Sequence, residues 1–194
     1  YKYDSETQFY GGNEFQYFDN SNIQQVNNNI VKITSDAIYN SFLYPLPPRN
    51  LKPYSFYEEI NGAFLPRNKF RENASIESDY AWVYFNLPTE EYQNKDVYVG
   101  GKFNNYLLTD ENKLEYDSSE KAYKKPILLK QGFTSYLYTL VDKKTKKIDR
   151  EAAIDGNFYQ TENDYQIVVY YRGNADRADR IIGYKKKKSL NITN

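Results

Sequence analysis

The segment from Tyr80 to Leu87 alternates strictly between two sets of side chains. Successive side chains on a β-strand point to opposite faces, so this period of two predicts a strand with one buried face and one exposed face. The set predicted to be buried is Ala81, Val83, Phe85 and Leu87, and the opposite set is Tyr80, Trp82 and Tyr84. A chain built on such segments is restricted to sheets.

Aromatic composition extends this prediction to the whole chain, because 22 Tyr and 11 Phe favour pleated, half-buried strands. Further short apolar runs, each bounded by Gly, Asn, Asp or Lys, are residues 97–99, 127–129, 133–141 and 165–171. Regularly spaced short strands are typical of β-sandwiches. The sequence therefore predicts an all-β protein of tandem β-sandwich units.

The predicted units meet in the polar stretch near Ala74. Residues 1–74 are predicted to form part of an N-terminal β-sandwich, and residues 75–184 a complete immunoglobulin-like sandwich. Residues 185–194, which begin with four lysines, are predicted to form a basic polar tail. Within the first unit, Asn61-Gly62 predicts a tight hairpin turn, because both residue types tolerate positive φ.

Composition excludes several classes of chemistry. The chain has no His and no Cys, which removes Ser-His-Asp and Cys-His catalysis and the usual zinc sites. The S-x-x-K spacing at Ser118–Lys121 lacks the companion motifs of serine acyl transfer and is predicted to be a polar turn. With 26 basic and 26 acidic residues, no net field attracts nucleic acid. We predict a non-catalytic protein without a cofactor.

Carboxylates leave two alternatives open. Asp155, Glu162 and Asp164 supply oxygens that could bind calcium, although their spacing differs from that of an EF-hand loop, and turn acids on a strand rim are the favoured interpretation. A pair of acids could also hydrolyse a glycoside. The sequence contains no apolar run long enough for a transmembrane helix, and its two glycosylation sequons begin at Asn73 and Asn191.

The aromatic excess also has two interpretations. Trp82, Tyr98, Phe103 and Tyr106 either stack on sugar rings at a surface platform or fill the core of a sandwich with their polar tips at its rim.

Six ordered blocks resemble one known family, and two closing segments extend the resemblance over residues 9–184. The blocks and segments are residues 12–19, 60–64, 77–81, 97–105, 129–133, 155–165, 168–172 and 179–184. Together they resemble the DUF5103 family, the plug proteins of the type IX secretion system of Bacteroidetes. Members of that family are longer at the N terminus, which implies a leading β-domain before Tyr1, and they often carry Trp where this chain has Tyr106.

The resemblance implies a periplasmic protein that docks on the outer-membrane β-barrel translocon and closes its periplasmic opening. Anchors of such interfaces are rich in aromatic residues and Arg. Two loops offer candidate anchor side chains of this kind, residues 104–110 and residues 172–180. The predicted partner-binding residues are Asn104, Asn105, Tyr106, Arg172, Arg177 and Arg180.

Residues 97–105, leading to 129–138, are also similar to early-set immunoglobulin-like modules that bind glycogen or starch. The alternative function is therefore carbohydrate binding. In that case Trp82, Tyr98 and Tyr106 are the predicted glycan contacts.

Overall fold

The structure, a computed structural model, describes residues 8–189. These residues form eleven strands, one turn of α-helix, α1 (Ala74–Glu77), and one 3-10 turn (Lys102–Asn104). The strands are β1 (Gln16–Asp19), β2 (Ile30–Ser35), β3 (Tyr39–Leu43), β4 (Phe64–Pro66), β5 (Tyr80–Pro88), β6 (Lys95–Gly100), β7 (Lys113–Asp117), β8 (Ala122–Lys130), β9 (Gly132–Asp142), β10 (Asp164–Tyr171) and β11 (Arg180–Lys188). The prediction of an all-β protein is confirmed.

The first nine strands form one continuous sheet. Its hydrogen-bonded order is β1-β9-β6-β7-β8-β5-β3-β2, and β4 pairs with β9 on the edge opposite β1. Neighbours are antiparallel except β3 and β5, which are parallel. The long strand β9 is the central strand of one half of the sheet, and the β5–β8 ladder is the centre of the other half.

The sheet curls so that its two halves face each other across the core. Phe85 of β5 lies 5.1 Å from Tyr136 of β9 and 6.1 Å from Phe18 of β1, measured between ring centroids. Along the sheet, however, β5 is separated from β9 by three intervening strands. Contact between strands so far apart requires the curl, which removes these aromatic rings from water.

The alternation predicted for residues 80–87 is confirmed in β5. The four odd positions from Ala81 to Leu87 are at most 1% exposed, whereas Tyr80 and Trp82 are 53% and 38% exposed. Burial of apolar surface contributes about 25 cal/mol per Å². This face of β5 therefore stabilises the centre of the core.

Strands from both sides of residue 74 belong to this same sheet. β1 and β4 pair with β9, and β3 pairs with β5. The predicted boundary coincides with α1, a single helical turn between β4 and β5. Hydrogen bonding thus connects the segment predicted as a first sandwich to the strands predicted as a second.

The remaining two strands form a separate antiparallel hairpin, which we call the arm (residues 164–188). Its last four residues are Lys185 to Lys188, which pair with residues 164–167. The prediction of a tail from residue 185 is therefore wrong for these four lysines. They continue β11 because β10 supplies hydrogen-bond partners for them. The rest of the predicted tail, residues 190–194, lies outside the described residues.

The predicted turn at Asn61-Gly62 is confirmed, with φ of 51° and 71°. The expected hairpin does not form there, because strand β4 follows the turn but residues 54–60 before it are not in a strand. The proline-rich stretch 45–53 contains no strand either, as the missing amide donors predict.

Candidate interaction surfaces

A buried polar cluster holds the N-terminal segment against the loop that precedes the arm. The Nε of Arg49 donates to Oδ1 of Asp155 at 2.8 Å, and Nε2 of Gln16 donates to the same oxygen at 2.8 Å. Arg49 also donates through Nη2 to the carbonyl of Glu14 at 2.6 Å. Burial opposes the charge of Arg49, but the neighbouring Asp155 carboxylate raises its pKa.

The Glu14 side chain extends this cluster toward the arm. Its Oε1 accepts from the Tyr54 hydroxyl at 2.6 Å and from the backbone amide of Glu162 at 3.1 Å. Burial and the bond to Glu14 raise the pKa of Tyr54. The chain just before β10 is thereby fixed to residues far away in sequence.

The acids proposed as calcium ligands are therefore engaged with different partners. Asp155 pairs with Arg49, and Asp164 pairs with Lys186 at 2.6 Å. Within residues 8–189, no three His, Cys, Asp or Glu side chains are grouped to share a metal ion. Likewise, no helix in this part of the chain is long and apolar enough to cross a membrane.

The S-x-x-K motif is a polar turn between β7 and β8, as predicted. Ser119 donates its hydroxyl proton to Asp117 at 2.6 Å, while the Lys121 ammonium donates to Glu90 at 2.9 Å. The lysine of the motif is thus paired away from its serines. The sequon at Asn73 lies at the start of α1, and the sequon at Asn191 is outside the described residues.

The first predicted partner-binding group lies on the loop of residues 101–108, which we call the Tyr106 loop. Asn104 is used internally, because its Oδ1 accepts from the amides of Gly101 and Tyr106 at 3.0 and 3.2 Å. This bonding holds Asn105 and Tyr106 at positive φ, 52° and 58°. Asn105 and Tyr106 are exposed, so they, rather than Asn104, are available to a partner.

Tyr106 is anchored at its tip and exposed along its ring. Its hydroxyl donates to the carbonyl of Gly62 at 2.8 Å, and its ring lies 6.3 Å from that of Phe15. Burial raises the pKa of Tyr106, with Glu59 adding to the effect. Beside it, Leu107 and Leu108 are also exposed. The sequence did not predict that these two leucines would lie on the surface next to Tyr106.

The Tyr106 loop and the base of the arm border adjoining concavities. A cleft of about 410 Å³ lies between Tyr106 and residues 10–15. A second hollow of about 350 Å³ is lined by Phe15, residues 162–164 and Lys188. Phe15 lines both, so the loop and the arm base belong to one surface.

The second predicted group, the three arginines, lies around the end of the arm. Arg172 pairs with Asp179 at 2.8 Å, and Arg180 pairs with Asp176 at 3.0 Å while its guanidinium lies over the Tyr171 ring. Arg172, Arg177 and Arg180 are all exposed. The arm thus presents positive charge on a hydrogen-bonded β-ribbon.

Exposed apolar side chains cover the arm between this end and its base. Eight large hydrophobic residues there are at least 36% exposed: Ile167, Val168, Val169, Tyr170, Tyr171, Ile181, Ile182 and Tyr184. Contiguous apolar surface of this kind marks interaction sites. The sequence feature that indicates this exposed surface is the unbroken apolar run in residues 167–171. In a two-stranded ribbon, such a run places apolar side chains on both faces.

The predicted glycan contacts are not brought together. Trp82 is on the outer face of β5 and Tyr98 is on β6, and the path of the sheet between those strands passes through β7 and β8. Tyr106 contacts Phe15 instead of either residue. Phe103 is partly buried and packs against the core beside Phe85, so the core interpretation holds for it.

Comparison with known proteins supports the fold. No family model and no curated protein matches the chain. A crystal structure of a hypothetical protein from Parabacteroides merdae ATCC 43184 is similar with a TM-score of 0.85 and 30% sequence identity. The match covers 93% of this chain and 45% of that one, so this chain spans less than half the length of the protein it resembles.

Proposed function

We propose that this chain is a non-catalytic periplasmic accessory protein that docks on the outer-membrane translocon of the type IX secretion system and closes it. Support comes from the ordered sequence blocks that resemble the DUF5103 plug proteins. The similar solved structure comes from Parabacteroides, a member of the Bacteroidetes, the phylum to which that family belongs.

One observation carries the binding role: the arm exposes a band of apolar side chains next to three exposed arginines. A folded domain gains nothing from leaving such a band in water, whereas aromatic, aliphatic and Arg side chains are the usual anchors of protein interfaces. The arm starts from a base held by Asn163, whose amide donates to the Ser189 hydroxyl at 2.9 Å and whose Nδ2 donates to the Gly11 carbonyl at 2.7 Å. A fixed base reduces the entropy lost on docking.

The immunoglobulin-like sandwich of the early-set type, predicted over residues 75–184, is assigned in this proposal to β5–β9 alone, because β10 and β11 form a separate two-stranded sheet. The antiparallel order β9-β6-β7-β8-β5 and the aromatic contacts between its two halves support this assignment. In this assignment β1 occupies the edge position next to β9. Nuclear Overhauser contacts from the Phe85 ring to both Phe18 and Tyr136 would support two facing layers, and their absence would count against them.

Capture from the native envelope tests the function. Tagged protein is incubated with detergent-solubilised outer membrane, and bound proteins are identified by mass spectrometry. We expect the large β-barrel translocon to be enriched by the unmodified chain. A triple variant, Arg172→Ala, Arg177→Ala and Arg180→Ala, should reduce that enrichment by about tenfold or more.

A second variant, Asn105→Ala with Tyr106→Ala, tests the Tyr106 loop as the contact surface. Lys121→Ala is a matched control, because Lys121 is an exposed cation on the turn between β7 and β8 and pairs with Glu90. Unchanged capture by both interface variants would refute the placement of the contact. Failure of the unmodified chain to enrich any barrel would refute the function.

A carbohydrate-binding role is the alternative, and one observation favours it. Tyr80, Trp82 and Tyr84 follow one another on the outer face of β5, where a stacked pair of Phe42 and Tyr84 rings, 4.2 Å apart, extends the aromatic surface. Saturable binding in a glycan titration that is lost in Trp82→Ala would establish this role. Loss in Tyr106→Ala alone would instead assign binding to the Tyr106 loop.

A further inference from the structure

The outer edge of β10 is an open, uncharged strand edge. Within residues 8–189, β10 pairs only with β11, which leaves the backbone groups on its other side without a strand partner. Residues 165–171 contain no charge, no Pro and no Gly. Strand edges with these properties pair readily with other strands.

The two strands of the arm differ in this respect. β11 ends in Lys185 to Lys188, and lysines on an edge strand oppose pairing with a further strand. β10 carries a charge only at Asp164, its first residue, and Arg172 follows its last residue. The arm therefore directs strand addition to β10.

The sequence of β10 is complementary to itself in antiparallel pairing. When Val168 lies opposite Val168 of a second copy, Ile167 faces Val169 and Tyr165 faces Tyr171. Residues opposite one another in an antiparallel pair share a face, and pairs of β-branched or aromatic side chains stabilise such ladders by about 0.2–1 kcal/mol each. The same register places Asp164 opposite Arg172 at both ends of the paired segment.

Ion pairs within each arm extend this match into a row of charges across the two joined arms. Asp164 already pairs with Lys186, and Arg172 already pairs with Asp179. All four side chains are at least 43% exposed, so each can take a second partner. The row across the joined arms reads Lys186, Asp164, then Arg172 and Asp179 of the second copy, with alternating sign.

We propose that β10 is a homodimerisation edge, at which two copies of this chain join their arms into a four-stranded antiparallel sheet about a two-fold axis. An isolated two-stranded ribbon is marginally stable, and four strands satisfy the open edge of β10 in both copies at once. This interface uses residues of the arm, Arg172 among them, that the proposed docking on a translocon also uses, but it is tested with purified protein alone, so that its failure and the failure of the proposed function are distinguishable.

Disulfide trapping tests both the contact and its register, because the chain contains no other cysteine. In the proposed register Val168→Cys places two thiols opposite each other across the axis, with Cα atoms roughly 4.5–5.5 Å apart, within the range of a disulfide. We expect mild oxidation to convert most of this variant to a covalent dimer. Mixing Ile167→Cys with Val169→Cys should give the mixed dimer for the same reason.

Val169→Cys alone is the matched control, since its own copy lies diagonally opposite, about 7–8 Å away, and should cross-link poorly. Sedimentation of the unmodified chain at roughly 100 μM should show a dimer, and Val168→Lys should weaken it by about tenfold. Circular dichroism checks that the variants fold. A monomer at that concentration, or equal cross-linking of Val168→Cys and Val169→Cys, would overturn the proposal.

Discussion

At the scale of single residues, the structure separates ion pairs that stabilise the fold from those that only occupy the surface. Arg49 and Asp155 are 16% and 11% exposed in their side chains, whereas Lys121 and Glu90 are 68% and 78% exposed. Removing one partner of a buried pair leaves the other charge buried and uncompensated. When one partner of an exposed pair is removed, water solvates the remaining charge.

We therefore expect Arg49→Met to lower the free energy of unfolding by about 3 kcal/mol, measured by urea denaturation. Lys121→Ala should leave it nearly unchanged, because this ion pair is exposed to water. Equal effects of the two substitutions would show that the buried cluster does not hold the N-terminal segment. The double variant Arg49→Met, Asp155→Leu should recover part of the loss.

Gly62 is a second point where one residue determines local geometry. Its φ is +71°, and a Cβ there would lie 2.3 Å from the Tyr106 hydroxyl and 2.6 Å from the Phe15 ring. Gly12 has a similar φ of +68° but open space around it. Any side chain at residue 62 must displace the side chains of Tyr106 and Phe15.

Gly62→Ala should thus destabilise the protein by about 2–4 kcal/mol, from the sum of backbone strain and displaced neighbours. Gly12→Ala, which incurs the strain alone, should cost about 1–2 kcal/mol. Thermal unfolding of both variants measures the difference. If Gly12→Ala proved the more damaging, the close packing around Gly62 would be wrong.

At the scale of elements, the sequence predicted what local periodicity determines and missed what pairing between distant strands determines. The alternation in residues 80–87 was sufficient for β5 and its buried face. No local signal indicated that β1 would pair with β9, because that contact joins residues more than 110 positions apart. Lys185 to Lys188 were predicted as a tail because their strand character depends on β10.

The same limit applied to the candidate sites. Arg172 and Arg180 were predicted as a group and do lie together near the end of the arm, since a hairpin keeps sequence neighbours close. Trp82, Tyr98 and Tyr106 were grouped by residue type, and the path of the sheet places the first two on strands that do not pair. Residue type alone does not determine position on a sheet.

For β5, we expect the two faces to respond differently to truncation. Phe85→Ala removes a ring that is 1% exposed and contacts Phe18 and Tyr136, and it should cost about 3–5 kcal/mol. Tyr80→Ala, at a residue that is 53% exposed, should cost less than about 1 kcal/mol. Chemical denaturation of both variants checks the prediction, and similar costs would contradict the assigned faces.

At the scale of the whole molecule, side-chain titration is confined to the acid and alkaline ranges, since the chain has no His or Cys side chain. A hydrogen bond from the Ser119 hydroxyl lowers the pKa of Asp117, and one from Lys95 lowers the pKa of Asp149. A carboxyl group whose pKa falls on folding stabilises the fold above its unfolded pKa of about 3.9. That stabilisation is lost as pH falls through the folded pKa.

The tyrosines act at the other extreme. Burial raises the pKa of Tyr138 and of Tyr136, so both hydroxyls stay protonated in the fold above the ordinary value of about 10. Groups with a raised pKa stabilise the fold fully below their unfolded pKa, and this contribution is lost as pH rises toward the folded pKa.

The free energy of unfolding should consequently be nearly constant from about pH 6 to 9, fall below about pH 4 and fall again above about pH 10. Urea titrations at a series of pH values measure this profile. A pronounced optimum or a transition near pH 7 would contradict it.

Under the proposed function, the arm serves binding and contributes little to the stability of the sheet. The most direct measurement compares the double variant Ile181→Ser, Ile182→Ser, whose residues are each 63% exposed, with the unmodified chain in thermal unfolding and in capture of the envelope translocon. We predict a melting temperature within about 3 °C of the unmodified value, because little apolar surface is exposed anew, and a loss of capture of about tenfold or more. Full capture by a normally folded double variant would contradict the claim.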